Sequence, residues 1–382
     1  MPEVRGWRGR RDAASGHAIL RPCPLSDLTR LPSPPRFGRW LRAALAAALM
    51  LLPAAVQAAS ETPAQAAYSI SDARSLRRLV AAARRGDSEA ELALGLAYRS
   101  GNRLLKRNPK LAVRWLRQAA RKGKLRAQFE LARMEDEGEG IAPDPSDAAM
   151  WYRRAAEQGD VRAMFRLGEM LRTGYGVAKD GAVAADWFRV AAQRGDAASV
   201  MALGRLYRDG DGVPRNIDEA ARWFRRLADD GDAEARTLLG ETLLDNGTGE
   251  GVPRPPSARG LDGVRWLKAA AAQGYARAQY RLALAHLGGI EADLDTAEAV
   301  RLLNCAAEQG YAEALRSLGH IYREGRIVAA DPVLGAADLE LAAALGSDGA
   351  AEERDAALKA LTPAELQAEK RYVAGWRADH QQ

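Results

Sequence analysis

The 382-residue chain carries 56 Lys and Arg against 50 Asp and Glu, a formal net charge of +6. Residues 1–59 hold nine arginines and only three acids, so the remainder is balanced at 47 basic and 47 acidic side chains and the high pI of 9.4 belongs to the leader. A body without net charge lacks the basic footprint of a nucleic-acid binder, and no nucleic-acid partner is expected.

Residues 1–58 read as an N-terminal extension and signal peptide. Arg36, Arg39 and Arg42 precede a 14-residue apolar run, Ala43 to Val56, and the small-residue exit Val56-Gln57-Ala58 predicts cleavage after Ala58. The run is short for a membrane span and Pro53 interrupts it, which makes an uncleaved anchor in the inner membrane the less favoured outcome. Export to a bacterial periplasm is the expected location. Residues 59–71 read as a linker.

From residue 72 a helical array begins and runs to 361. Leu76, Leu79, Val80, Ala82 and Ala83 place one helix before Gly86-Asp87, and it has no partner ahead of it, so it reads as an N-terminal cap. A frame then recurs with closing glycines at Gly123, Gly159, Gly195 and Gly231, 36 residues apart, a period that marks a solenoid. In its clearest copy, Ala163, Leu167 and Leu171 lie along one face of a first helix that Gly174-Tyr175-Gly176 stops. Ala184, Trp187, Phe188, Ala191 and Ala192 form the buried side of a second helix. The expected spans are 163–173 and 184–194. One such pair cannot bury its own face, so copies must stack.

The fifth copy is seven residues longer, with extra chain around Asn246-Gly247-Thr248 and in Pro253-Arg254-Pro255-Pro256-Ser257, a tolerated surface loop or a binding loop. The sixth and seventh copies put Leu302 and Leu339 where tryptophan stood, which predicts looser packing there. Residues 362–382 form a C-terminal capping helix and tail, with Thr362, Pro363 and Glu365 as its start signal.

These residues resemble the Sel1-like repeat, a relative of the tetratricopeptide repeat with the pattern A-x-x-x-L-G-x-x-Y-x-x-G-x-G-V followed by A-x-x-W-x-x-x-A-A-x-x-G. The resemblance implies an all-α fold: a right-handed αα-superhelical solenoid of about seven Sel1-like repeats with N- and C-terminal capping helices. It further implies a non-catalytic scaffold or adaptor of the bacterial cell envelope, monomeric, holding a segment of a protein partner in its concave groove.

Tetratricopeptide arrays contact ligands three residues before and one and four after the Leu-Gly glycine. Here those slots hold Phe129, Phe165, Met201 and Tyr280, then Arg133, Glu169, Arg205 and His320, then Arg172, Arg208 and Arg323. An apolar strip beside arginines suits an extended or helical peptide with acidic groups, although Phe129 and Phe165 could equally seal adjacent helices.

Two other features invite function. Trp115, Trp151, Trp187, Trp223 and Trp266 could stack on a ligand, but their place in the frame favours core packing. Arg117, Arg153, Arg189, Arg225 and Lys268 follow them as an outer basic ladder. It could meet anionic lipid or envelope polysaccharide, and is otherwise a solvated face paired with acids at i, i+4. His286 stands in the slot of Tyr98, Tyr207 and Tyr322 and reads as a packing substitution. Cys305 is the only cysteine downstream of the leader, and no Cys or His pair has metal-ligand spacing. No nucleophile, base and orienter set is recognisable, so no catalytic residue, metal or cofactor is expected. The alternative is an envelope hydrolase or a peptidoglycan- or polysaccharide-binding protein, which a convergent buried acid pair in the groove would favour.

Overall fold

The structure, a computed structural model, describes residues 70–245, 258–289 and 295–380. The leader with its apolar run and cleavage site, nearly all of the linker, and both insertions of the fifth copy lie outside the described residues. Among the described residues there are seventeen helices and no strands.

After α1 (Ala73–Arg84) the helices come in pairs: α2 (Ser88–Ser100) with α3 (Pro109–Arg121), α4 (Leu125–Glu137) with α5 (Pro145–Glu157), α6 (Val161–Thr173) with α7 (Gly181–Gln193), and α8 (Ala197–Asp209) with α9 (Ile217–Asp229). Then follow α10 (Ala233–Leu244) with α11 (Ala258–Ala271), α12 (Ala276–Leu287) with α13 (Thr296–Ala307), and α14 (Ala312–Glu324) with α15 (Pro332–Ala344). The helices α16 (Ala350–Lys359) and α17 (Pro363–His380) close the chain. This is the expected all-α solenoid. The chain divides into two compact units between Trp223 and Phe224.

The helices start where a carboxylate can accept their first free N–H groups. Asp87, Asp160 and Asp196 cap α2, α6 and α8 from the position right after the closing glycine, so the residue that ends one copy begins the next. Asn108, Asp144 and Asp180 do the same for α3, α5 and α7, with Pro109 and Pro145 in the first turn, where a missing N–H costs nothing. These caps lengthen the second helix beyond its apolar residues: α7 starts at Gly181 rather than Ala184. At the other end of α6, Gly174 adopts φ +79°, the left-handed geometry that ends the helix.

In the first unit Leu131, Leu167 and Leu203 are fully buried, with the alanine pairs Ala119-Ala120, Ala155-Ala156 and Ala191-Ala192 between them. Each such leucine contributes roughly 2 kcal/mol on burial. The glycine beside the leucine permits the close approach: a Cβ on Gly168 would lie 2.6 Å from Cε1 of Phe188. Trp151 is buried, whereas Trp115, Trp187 and Trp223 are half-covered at the edge of the core.

In the second unit Leu302 and Leu339 are completely buried. The smaller side chain sits deeper than the tryptophans do. His286 is buried, in keeping with a packing role. The terminal helix α17 begins with the expected box, Thr362 N–H donating to Glu365 Oε2 at 2.8 Å. It packs against α15, adds Val373 and the flanks of Tyr372 and Trp376 to the core, and its last residue, His380, meets the Glu308 carbonyl at 2.8 Å.

Candidate functional site

The first helices α4, α6 and α8 all lie in the first unit, and they carry eight of the eleven groove residues read from the sequence, with Arg172 and Arg208 near the ends of α6 and α8, while Arg323 lies on α14. Tyr280 and His320 belong to the second unit, on α12 and α14.

The apolar strip is uneven. Phe129 is 8% exposed; its ring lies 5.8 Å from that of Tyr152 on α5, and the Arg162 guanidinium covers it at 4.0 Å. Phe165 is half-buried, 5.8 Å from Phe188 on α7, and Met201 is half-buried on α8. So Phe129 seals the helix pair, while Phe165 and Met201 keep an accessible edge. In the second unit Tyr280 rests on Tyr311 at 5.2 Å.

The charged slots are engaged by neighbours. Glu130, nearly buried, accepts from Arg99 one copy earlier and pairs with Arg133 at 3.3 Å. Asp136 pairs with Arg166 at 2.5 Å. Glu169 holds Arg172 at 2.9 Å, and Arg172 also reaches Asp211 at 3.7 Å. Arg208 lies 2.7 Å from its neighbour Asp209, and Arg205 is exposed. Burial penalises the charge on Glu139, but hydrogen bonds from Arg99 and Arg107 outweigh it and hold that carboxyl below its usual range. In the second unit His320 Nε2 lies 3.1 Å from Glu353, whose carboxyl is lowered first by its bond from Arg316 and then by His320.

Three members of the outer ladder find partners, though not at the expected i, i+4 spacing. Arg117 pairs with Glu135 at 2.9 Å and Arg189 donates to Tyr207 Oη at 2.9 Å, each 18 residues on, in the next first helix. Arg225 reaches Asp262 at 3.0 Å. The partners come from the adjacent copy because a stacked second helix presents its side chains to the next first helix before it presents them to its own turn. Asp186, three residues before Arg189, is a same-helix partner.

Buried carboxylates on the first helices are each engaged by a cation: Glu91 by Lys122 at 2.6 Å, Glu130 by Arg99, Glu135 by Arg117. Burial raises the Glu135 carboxyl, with Arg117 opposing. Asp338 and Glu369, acids pushed up mainly by burial with no ion-pair partner among the described residues, lie on α15 and α17 rather than on the first-helix face. Among the described residues no group of three or more His, Cys, Asp or Glu is placed to hold a metal ion, and no helix is long and apolar enough to cross a membrane.

Seven consecutive segments, 88–124, 125–160, 161–196, 197–232, 233–275, 276–311 and 312–347, match the Sel1 repeat pattern. The chain belongs to the Sel1 repeat family. Among solved structures this Sel1 chain is similar to c5321, a protective antigen present in uropathogenic Escherichia coli strains displaying an SLR fold. Identity is 30% and the TM-score 0.64, over 79% of this chain and 63% of the antigen, so the chain spans less than two thirds of that protein's length. A Sel1 repeat protein from Oxalobacter formigenes is 28% identical with a TM-score of 0.51, over 66% of this chain and 96% of that one. A comparison with curated proteins finds no match. Sel1 repeat proteins are in general non-catalytic protein–protein interaction modules.

Proposed function

We propose that this Sel1 array is an adaptor exported to the bacterial envelope, and that the first helices α4, α6 and α8 hold a segment of a protein partner. One observation carries the reading: Phe165 and Met201 keep accessible apolar edges on neighbouring first helices, with Arg172, Arg205 and Arg208 around them. An apolar strip with cationic flanks takes an extended segment whose side chains alternate between apolar and acidic. Ion pairs within the array fix Arg172 and Arg208 in place, so a partner carboxylate meets a preorganised guanidinium. Phe129 is not part of the docking surface in this reading, because Arg162 and Tyr152 cover its ring. The envelope location rests on the basic flank, the apolar run and the small-residue exit of residues 36–58.

The test is capture from envelope extract on the wild type and on a Phe165→Ala/Met201→Ala/Arg205→Ala variant that keeps its helical circular dichroism. A protein enriched on the wild type and lost on the variant is the expected result. Equal capture on both removes the first-helix face from consideration.

A further inference from the structure

The overall charge balance conceals a segregation along the chain. Residues 72–126, the cap and the first helix pair, hold sixteen Lys and Arg against four Asp and Glu, while residues 127–382 hold 31 against 42. The excess lies on the surface. On α1, Arg74, Arg77, Arg78 and Arg84, together with Arg85 at its C-cap, recur at helical spacing around the exposed Ala81 and form one stripe. The stripe is about 16 Å long at 1.5 Å per residue. Leu79, Ala82 and Ala83 lie on the opposite, buried side.

A second cationic row lies next to it. Lys110, Arg114 and Arg121 are exposed along α3, and the Lys122 Nζ donates to the Gly86 carbonyl at 2.8 Å, which fixes the C-terminal end of α3 beside that of α1. None of these exposed cations on α1 or α3 has a carboxylate ion-pair partner among the described residues. Elsewhere on the first unit Arg99, Arg117, Arg133, Arg166 and Arg172 are each matched by an acid of the array.

The loop between α2 and α3 supplies a different feature. Leu104 is 41% exposed, one of the few large apolar side chains left in solvent, and Arg103 and Lys106 bracket it. Its neighbour Leu105 packs into the small core that Leu76, Leu79 and Val80 of α1 help to build, which ties the loop to the cap helix. An apolar tip between cations, next to two rows of guanidinium and ammonium groups, matches a bilayer surface: headgroup phosphates for the charges and the acyl boundary for the leucine. A nucleic acid would use the charges but leave the leucine wet.

We propose that the cap helix α1, the 101–108 loop and α3 form a docking face for anionic phospholipid. The proposal does not depend on the partner segment assigned to α4, α6 and α8.

The test is flotation of the full chain with vesicles of phosphatidylcholine alone or mixed with phosphatidylglycerol, at low and high salt. Three variants accompany it: Arg74→Gln/Arg77→Gln/Arg78→Gln, Leu104→Ser, and a control that removes three exposed cations from the C-terminal helices, Lys359→Gln/Lys370→Gln/Arg371→Gln. At roughly 1 kcal/mol per cation near an anionic surface, the arginine triple should lower partitioning onto phosphatidylglycerol vesicles about a hundredfold. Leu104→Ser should weaken it severalfold, and the control should bind like the wild type. Salt should weaken the wild type far more than the triple variant, because added salt screens only the charge contribution. Any binding through the leader, whose nine arginines also favour phosphatidylglycerol, is common to all four proteins, so the difference between wild type and triple variant is the readout. Equal flotation of wild type and triple variant, or no preference for phosphatidylglycerol, overturns the proposal. So does a DNA duplex that binds the wild type, is lost on the triple variant and displaces the vesicles.

Discussion

Asp136 on α4 and Arg166 on α6 form an ion pair at 2.5 Å across two successive first helices. One copy earlier, Arg99 on α2 and Glu130 on α4 fill the same two slots with the charges exchanged. The acid or base four residues after the small residue of one copy meets the opposite charge two residues before that of the next. The slots require complementarity, not a fixed sign. Asp136→Arg should therefore destabilise the protein by about 1 kcal/mol, a modest figure because Arg166 is half-exposed. Adding Arg166→Asp should recover most of that loss. A double-mutant cycle by urea unfolding checks it; additive losses would show that the two side chains do not interact.

Close helix approach in α6 makes a second prediction. Gly168→Ala should destabilise by about 1–3 kcal/mol even though alanine favours a helix, because the methyl group meets Phe188 at 2.6 Å. Gly375 in α17 has open space around its Cβ position, so Gly375→Ala should instead stabilise by about 1 kcal/mol. Thermal unfolding of both separates packing from helix propensity.

Phe129 and Met201 of the strip should behave differently. Phe129→Ala empties a covered site and should cost about 3–4 kcal/mol. Met201→Ala should cost less than about 1 kcal/mol, since its side chain is already half in solvent. Similar losses at both positions would place Met201 in the core and remove it from the docking face.

Stability should also depend on pH through the C-terminal helix. Burial pushes the Asp338 carboxyl well above its ordinary 3.8, with Asp331 adding to the rise, and burial with Glu340 does the same to Glu369 against weaker opposition from Lys370 and Arg377. An acid raised in the folded state binds its proton more tightly there than when unfolded. Its penalty is absent below the ordinary carboxyl value and grows as pH rises from there to the raised value. Asp338→Asn should thus be more stable than the wild type at pH 8, with the difference shrinking toward pH 4. Urea unfolding at both pH values checks the slope; parallel curves would contradict it.

The helix pairs, the cap helix and the terminal box at Thr362 were legible in the sequence because each depends on residues within a dozen positions: apolar spacing, a closing glycine, a capping side chain. Ala184 misled as the start of α7 because the Asp180 cap precedes the apolar stripe by four residues. The ion pairs were not legible, since they join residues 18 to 40 apart whose meeting depends on the stacking register. For the same reason Phe129 and Phe165 look alike in sequence, and only the Arg162 guanidinium over one ring tells them apart. The basic first copy escaped notice for a simpler reason: averaged over the whole body, its charge is cancelled by the acids that follow.

The central claim is that the partner lies on the first helices. A photoreactive amino acid placed at Met201 on α8, or at the exposed Val190 on the second helix α7, tests it in the producing cell. The account predicts a discrete crosslinked protein adduct from position 201 and none from position 190. The reverse result, an adduct at 190 with none at 201, would contradict it.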